Sequence, residues 1–415
     1  MRRFLLDPVY LLLAIVTAPW WLRKARGGWG ERFGRTDPLP EPTPGRKRLL
    51  IHAVSLGEVN ATRPLVEALA PDVDPVIATT TDTGIARARE LYAGRFPVVR
   101  YPLDASWSVR RFLDAVRPDG VALVELELWP NFLALCARRG IPVGVVNGRL
   151  SERSFKGYRK LRFFLKKDFS SLAFAGVQDA AYRARFVAMG VPDDRCTIGG
   201  NTKWDVAAPN TEEVGALGRE MGIDPTKPLV VAGSTAPGED ALISDALPAG
   251  VQLLCAPRRP EWRDGAERAL GPCVRRTAPG AGDPSHGRFL LDTMGELSKA
   301  YALADVVVVG RSFGGLHGSD PMEPAAMGKP VVIGPEHGDF EAAVRALSER
   351  DAIVVTDRAG LARELARLFE DAGHREELGA RASEVVGVHR GAAARYADMV
   401  RGMLGAHDNG ARGDG

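Results

Sequence analysis

The chain has 415 residues, 45% of them hydrophobic and 26% charged, with 46 glycines and 29 prolines. That length exceeds one ordinary core and suits two domains, and the composition excludes a disordered or fibrous chain. Lys and Arg number 55 against 52 Asp and Glu, a formal charge of +3 that argues against a nucleic-acid partner and leaves any anionic partner to local basic clusters.

The amino terminus follows Arg2 and Arg3 with the apolar stretch F-L-L-D-P-V-Y-L-L-L-A-I-V-T-A-P-W-W-L, closed by Arg23, Lys24 and Arg26. Asp7, Pro8 and Pro19 interrupt it, so it is marginal as a span, which takes about 20 apolar residues, and comfortable as a helix lodged in the interface. Trp20 and Trp21 beside the cations suit the headgroup layer. Residues 1–35 therefore read as a membrane-anchor segment, against a signal peptide cleaved near Val16-Thr17-Ala18 or a buried core helix.

Residues 36–46, T-D-P-L-P-E-P-T-P-G-R, read as a proline-rich linker. Strand-like runs then alternate with helical patterns: L-L-I-H-A-V, P-V-I-A-T-T, P-V-V-R-Y, V-A-L-V-E-L, V-G-V-V-N and A-F-A-G-V. Strands apolar on both faces, separated by helices, predict a parallel sheet covered on both sides. The pattern restarts behind A-A-P-N-T-E-E with P-L-V-V-A-G-S-T, V-Q-L-L-C-A-P, F-L-L-D-T, A-D-V-V-V-V-G and P-V-V-I-G-P. An α/β chain of two Rossmann-like, doubly wound domains is expected, over 47–214 and 215–404, with the cleft between them as the default site. The Gly-rich tail 405–415 reads as disordered. Cys136, Cys196, Cys255 and Cys273 are far apart and form no zinc pattern, so they read as reduced thiols of a cytoplasmic body.

Chemistry-bearing residues fall at the ends of the expected strands. Ser55-Leu56-Gly57-Glu58 joins the first strand to a helix, a geometry that aims backbone N–H groups and the positive dipole end at a ligand. Glu58 is either a general base for a hydroxyl acceptor or a first-turn glutamate favoured by the dipole. Glu125 and Glu127, in E-L-E-L-W-P-N, share one face if the segment is extended, and like charges so placed push one pKa upward. Asn147-Gly148-Arg149-Leu150-Ser151-Glu152-Arg153-Ser154 opens a run of interleaved cations and aromatics, F-K-G-Y-R-K-L-R-F-F-L-K-K-D-F. That run is a solvated helix or a grip on an anionic lipid.

In the second half, Ser234-Thr235 and Pro257-Arg258 each follow a strand, where nucleotides bind in doubly wound sheets. Met294-Gly295-Glu296 leads into a helix whose N–H groups suit a phosphate. Residues 314–330, G-G-L-H-G-S-D-P-M-E-P-A-A-M-G-K-P, join a Gly-rich loop to Glu323, which suits the two hydroxyls of a ribose. Asp72-Val73-Asp74 imitates a metal-binding D-x-D but sits in a turn before a strand.

In this order the motifs resemble those of the 3-deoxy-D-manno-octulosonic acid (Kdo) transferases: S-x-G-E, E-x-E-L-W-P-N, N-x-R-L-S-E-R-S, G-N-x-K-x-D (here Gly200 to Asp205), A-G-S-T, P-R, M-G-E-L and a Gly-rich E-P loop. The resemblance covers nearly the whole chain. It implies GT-B architecture and inverting transfer of Kdo from CMP-Kdo to a hydroxyl of lipid IVA, the lipid A precursor, at the cytoplasmic face of the inner membrane. No metal or other cofactor is implied. Glu58 would be the base and Glu127 or Glu125 a supporting acid. CMP would meet Ser234, Thr235, Pro257, Arg258, Met294, Gly295, Glu296, Asp320, Pro321, Met322 and Glu323, and Ser55, Gly57, Arg149 and Lys203 would meet acceptor or sugar. The chain departs from the family pattern at Ala236 and Arg259, where His is common, and at Ser319 and Asp320, where the family has His-Asn. Those departures leave another GT-B transferase, an epimerase or an inactive membrane scaffold as rival readings.

Overall fold

The computed structural model describes residues 7–8, 27–205 and 211–411, the side chains of 406–411 excepted. The anchor expected over 1–35 lies mostly outside the described residues; among those described, no helix is long and apolar enough to cross a membrane. The chain divides into two compact units, Met1–Asp205 with Arg390–Gly415, and Val206–His389.

The first unit is built on seven parallel strands, β1 (Lys47–His52), β2 (Val73–Thr79), β3 (Val98–Arg100), β4 (Gly120–Val124), β5 (Val143–Gly148), β6 (Phe174–Val177) and β7 (Cys196–Ile198), in the order β3-β2-β1-β4-β5-β6-β7. Alternation along β1 explains why both faces are covered. Leu50 packs with Phe112 and Phe132 on one side, while Leu49 and Ile51 pack with Leu65, Val66 and Tyr396 on the other. Leu50 stands opposite Val76 of β2 and Val121 of β4, so the register brings the carboxyl ends of β1 and β4 side by side. Strand order reverses there, the crevice where doubly wound sheets bind ligands.

The second unit repeats the plan with β8 (Leu229–Thr235), β9 (Gln252–Pro257), β10 (Val274–Arg275), β11 (Arg288–Leu290), β12 (Val306–Val309), β13 (Val331–Ile333) and β14 (Val354–Val355), in the order β10-β11-β9-β8-β12-β13-β14. Its strands too are all parallel, with β8 and β12 adjacent at the reversal.

Two expected boundaries are corrected. The second unit ends at His389 rather than 404, because Ala392–Ala411 is a helix that returns to the first sheet. Ala393, Tyr396, Ala397, Val400, Met403 and Leu404 recur at helical spacing and bury against Leu49, Ile51 and Ala122. Tyr396 lies over Gly176 and Gly199, where a Cβ would come within 2.5 and 2.2 Å of its ring. Asp205 caps the turn, accepting from Gly391 and Ala393 N–H at 2.6 Å each. The tail read as disordered from 405 is therefore helical through Ala411, since an apolar face and a cap outweigh its glycines.

Candidate active site

In each unit the parallel sheet delivers the expected residues to one end, the carboxyl ends of its strands. Ser55 caps the helix Leu56–Leu69 from an extended backbone. Glu58 folds back over it, with Oε1 accepting the Ser55 hydroxyl at 2.8 Å and Oε2 the Val54 N–H at 2.9 Å. The first-turn reading of Glu58 is what the geometry shows, and the cap fixes its rotamer while leaving further lone pairs on each oxygen.

The strand β4 ends at Val124, and Glu125 takes φ of 60°, outside the extended region. The inference that Glu125 and Glu127 share one face of a strand therefore fails. Burial chiefly, then the Glu58 charge, raises the Glu125 pKa, with Arg149 and Lys203 opposing. Burial also pushes Glu127 up to about 7, with the Glu58 and Glu125 charges adding and the Trp129 hydrogen bond opposing. Trp129 Nε1 donates to Glu127 Oε2 at 2.9 Å. Like-charge repulsion, the cause expected from sequence, is present but second to burial.

Arg149 follows β5 and Lys203 follows β7. Against the cost of burial, Tyr182 and Glu125 hold Arg149 in its charged form. Next to Arg149, Asn147 is buried with φ of 53°, and its Oδ1 accepts from Thr202 N–H at 3.1 Å, tying the loop after β7 to β5. Non-glycine residues at positive φ cost about 1–3 kcal/mol, so Glu125 and Asn147 store strain at adjacent strand ends. The site therefore gathers Glu58, Glu125, Glu127, Arg149 and Lys203. Among the described residues no three His, Cys, Asp or Glu side chains are grouped to hold a metal ion. Asp72 pairs instead with Arg401 at 2.7 Å, and Asp74 lies 3.8 Å from Arg46.

In the second unit Ser234 sits at φ of 56°, and Thr235 donates to the buried Asp240 at 2.6 Å. The Arg258 N–H donates to Thr235 O at 3.0 Å, joining the loops after β8 and β9. A Cβ on Gly310 would meet Thr235 Cα at 2.6 Å, so glycine is needed where β12 passes β8. Burial raises the pKa of Glu323, which bonds Ser298. Arg258, Asp320 and Glu323 surround the buried Tyr301 closely enough for their charges to act on it.

The Glu296 side chain is held by partners of its own unit. Burial opposes its charge, but Arg276 at 3.0 and 3.2 Å and Thr293 at 2.6 Å hold its carboxyl below the usual range. The helix begins at Leu297, with Gly295 at φ of 86° and Met294 63% exposed ahead of it. Sequence reasoning missed Glu239, buried and accepting N–H bonds from Ala236 (2.8 Å), Arg311 (2.7 Å) and Phe313 (2.9 Å). It fixes both loops at the strand reversal, and its signal was the spacing A-P-G-E, the counterpart of S-L-G-E.

The departures have local explanations. Ala236 contributes its N–H to Glu239, Arg259 stacks on Trp262 at 4.9 Å, and Ser319 is buried. Asp320 Oδ1 accepts the Met322 N–H at 2.8 Å, opening the helix Met322–Ala326.

The basic aromatic run forms two helices, Glu152–Lys160 and Arg162–Ser170, broken at Leu161. Phe163 and Phe164 are 81% and 73% exposed, beside an open hollow of about 600 Å³ lined by Arg162, Phe163, Lys166, Lys167 and Ser170.

Two parallel sheets of this order, each with its loops gathered at the carboxyl ends of the strands, have the GT-B architecture. The fold has relatives of known structure: the UDP-GlcNAc 2-epimerase of Neisseria meningitidis matches 85% of this chain and 99% of its own with a TM-score of 0.59 at 12% identity. Anabaena HepE, in complex with UDP, matches 87% and 100% with a TM-score of 0.54 at 14% identity.

Residues 27–206 match the family model described as 3-deoxy-D-manno-octulosonic-acid transferase. The 3-deoxy-D-manno-octulosonic acid transferase of Bordetella pertussis is 32% identical over 96% of this chain and 99% of its own length. That of Haemophilus influenzae is 31% identical over 90% and 91%. The chain belongs to the 3-deoxy-D-manno-octulosonic acid transferase family.

Proposed function

We propose that the protein transfers Kdo from CMP-Kdo to a hydroxyl of lipid IVA at the cytoplasmic face of the inner membrane, held there by its apolar amino terminus. The convergence of Glu58, Glu125 and Glu127 with Arg149 and Lys203 carries this reading. Glu58 takes the acceptor proton as the hydroxyl oxygen bonds to the anomeric carbon from the face opposite the phosphate. The bond from that carbon to the CMP oxygen breaks with inversion, and CMP leaves as the anion. Glu127, raised to about 7 and so partly protonated near neutral pH, donates a hydrogen bond to the reacting sugars in its neutral form, while Arg149 and Lys203 balance the acidic substrates. Arg258 and the backbone of the loops after β8 and β12 receive the leaving phosphate without a metal, and Glu323 holds the ribose.

The exposed Phe163 and Phe164 among lysines and arginines support a second contact with an anionic membrane surface. Incubating the protein with lipid IVA and CMP-Kdo and weighing the lipid by mass spectrometry tests the proposal. A mass increase of one or more Kdo units is expected. An unchanged lipid with CMP-Kdo, but a product with another nucleotide sugar, would overturn it.

A further inference from the structure

The stretch that leads from Glu127 into the helix Pro130–Arg138 has no side-chain cap of its own, because Trp129 occupies the cap position. The Asp104 carboxylate supplies the missing acceptors, and Asp7 takes the Asn131 side chain. Buried Asp104 takes the N–H groups of Asn131 and Phe132 at 3.0 and 2.8 Å, and the Asn131 amide donates to Asp104 O at 2.6 Å. The same amide donates to Asp7 Oδ1 at 3.0 Å. Asp7 also accepts the Ser106 N–H at 3.0 Å and the Ser106 hydroxyl. One carboxylate from the start of the chain thus ties together the first turns of Ser106–Val116 and Pro130–Arg138, the helices that follow β3 and β4. Both turns offer positive dipole ends, which favour a charged carboxylate over a neutral side chain.

Asn131 stands two residues from Trp129, whose indole holds Glu127. Loss of Asp7 leaves a nearly buried amide hydrogen of Asn131 without its acceptor, so the loop gains freedom at the point that orients Trp129. A shift of about 1 Å in an acid–base group costs catalysis far more than it costs stability.

We propose that Asp7 is a positioning residue for sugar transfer: its clasp on Ser106 and Asn131 sets the loop that carries Glu127. The inference rests on the reading of Glu127 as part of the reaction. It makes the amino-terminal segment a component of the catalytic apparatus as well as an attachment.

The test uses the full chain with Asp7→Ala and Asp7→Asn, the second keeping one carbonyl acceptor. Hydrogen exchange of the peptide covering 125–133, kcat and the KM for CMP-Kdo are measured. For Asp7→Ala, exchange at Asn131 and Phe132 accelerates and kcat falls about tenfold with KM for CMP-Kdo unchanged, and Asp7→Asn recovers most of the rate. Unchanged exchange overturns the proposal, as does a loss shared by KM. Faster exchange with wild-type kcat overturns it too. Glu127→Ala, which removes the donor, then shows which link failed, because a wild-type rate in that variant overturns the catalytic reading as well.

Discussion

Ser55 and Glu58 close a reciprocal cap, the Ser55 hydroxyl donating to Glu58 Oε1 at 2.8 Å and the Glu58 N–H returning to Ser55 Oγ at 3.4 Å. Gln at position 58 keeps one oxygen for this cap but removes the carboxylate proposed as base. Glu58→Gln should therefore lose more than about 100-fold in kcat while CMP affinity, read by calorimetry, and the melting temperature stay near wild type. A variant retaining over roughly a tenth of the rate would exclude Glu58 as base. Glu58→Ala, by contrast, should also lose about 1 kcal/mol of stability with the cap.

On the proposed mechanism, Glu127 should give the reaction a pH dependence with a defined sign. Its pKa of about 7 in the fold lies above the 4.5 of a solvated glutamate, so the folded protein holds a proton that the unfolded chain releases. Its contribution to stability is complete below about pH 4.5 and is lost as pH rises through about 7. As a hydrogen-bond donor it should make kcat fall through the same region, and Glu127→Gln, which remains a donor, should flatten that limb. A wild-type profile in Glu127→Gln assigns the limb to another group.

Much of this was legible in the sequence because β1 and β4 are apolar on both faces, which only a covered parallel sheet accommodates, and because turns such as S-L-G-E mark strand ends. The unreadable parts have physical causes. The left-handed backbone of Glu125 has no residue signature, so a periodicity of two misjudged its direction. Glu296 sat in a phosphate-like motif, and only the fold revealed Arg276 as its partner. The return of Ala392–Ala411 to the first unit depends on packing against residues more than 300 positions away, such as Leu49. Local pattern carries no trace of it.

Glu239 joins the loops after β8 and β12 through three backbone N–H groups, and it is 2% exposed. Glu239→Ala strands those donors, each costing about 1–3 kcal/mol when buried without a partner, so a large drop in melting temperature is expected. Glu239→Gln retains one acceptor oxygen and should fold, with CMP affinity reduced as the loops lose their common tie. Wild-type CMP affinity in the Gln variant would remove Glu239 from the donor site.

Attachment to the membrane should divide into two terms that salt separates. The apolar sequence before residue 25 should bind by burial, which ionic strength leaves nearly untouched. The helix Arg162–Ser170 presents Phe163 and Phe164 with Arg162, Lys166 and Lys167 around its hollow, and attraction of those cations to anionic lipid is screened within about 8 Å at physiological ionic strength. Deleting residues 1–24 should therefore leave a protein that floats with anionic vesicles at low salt and separates from them at high salt, while the full chain floats in both. In the truncated background, Lys166→Glu with Lys167→Glu should abolish flotation at low salt, because reversing two charges turns attraction into repulsion. Phe163→Ser with Phe164→Ser should weaken it without changing its salt dependence. If the truncated chain never binds anionic vesicles, the exposed phenylalanines and their cations form an ordinary solvated surface, and docking of the acceptor lipid must be sought elsewhere on the first unit.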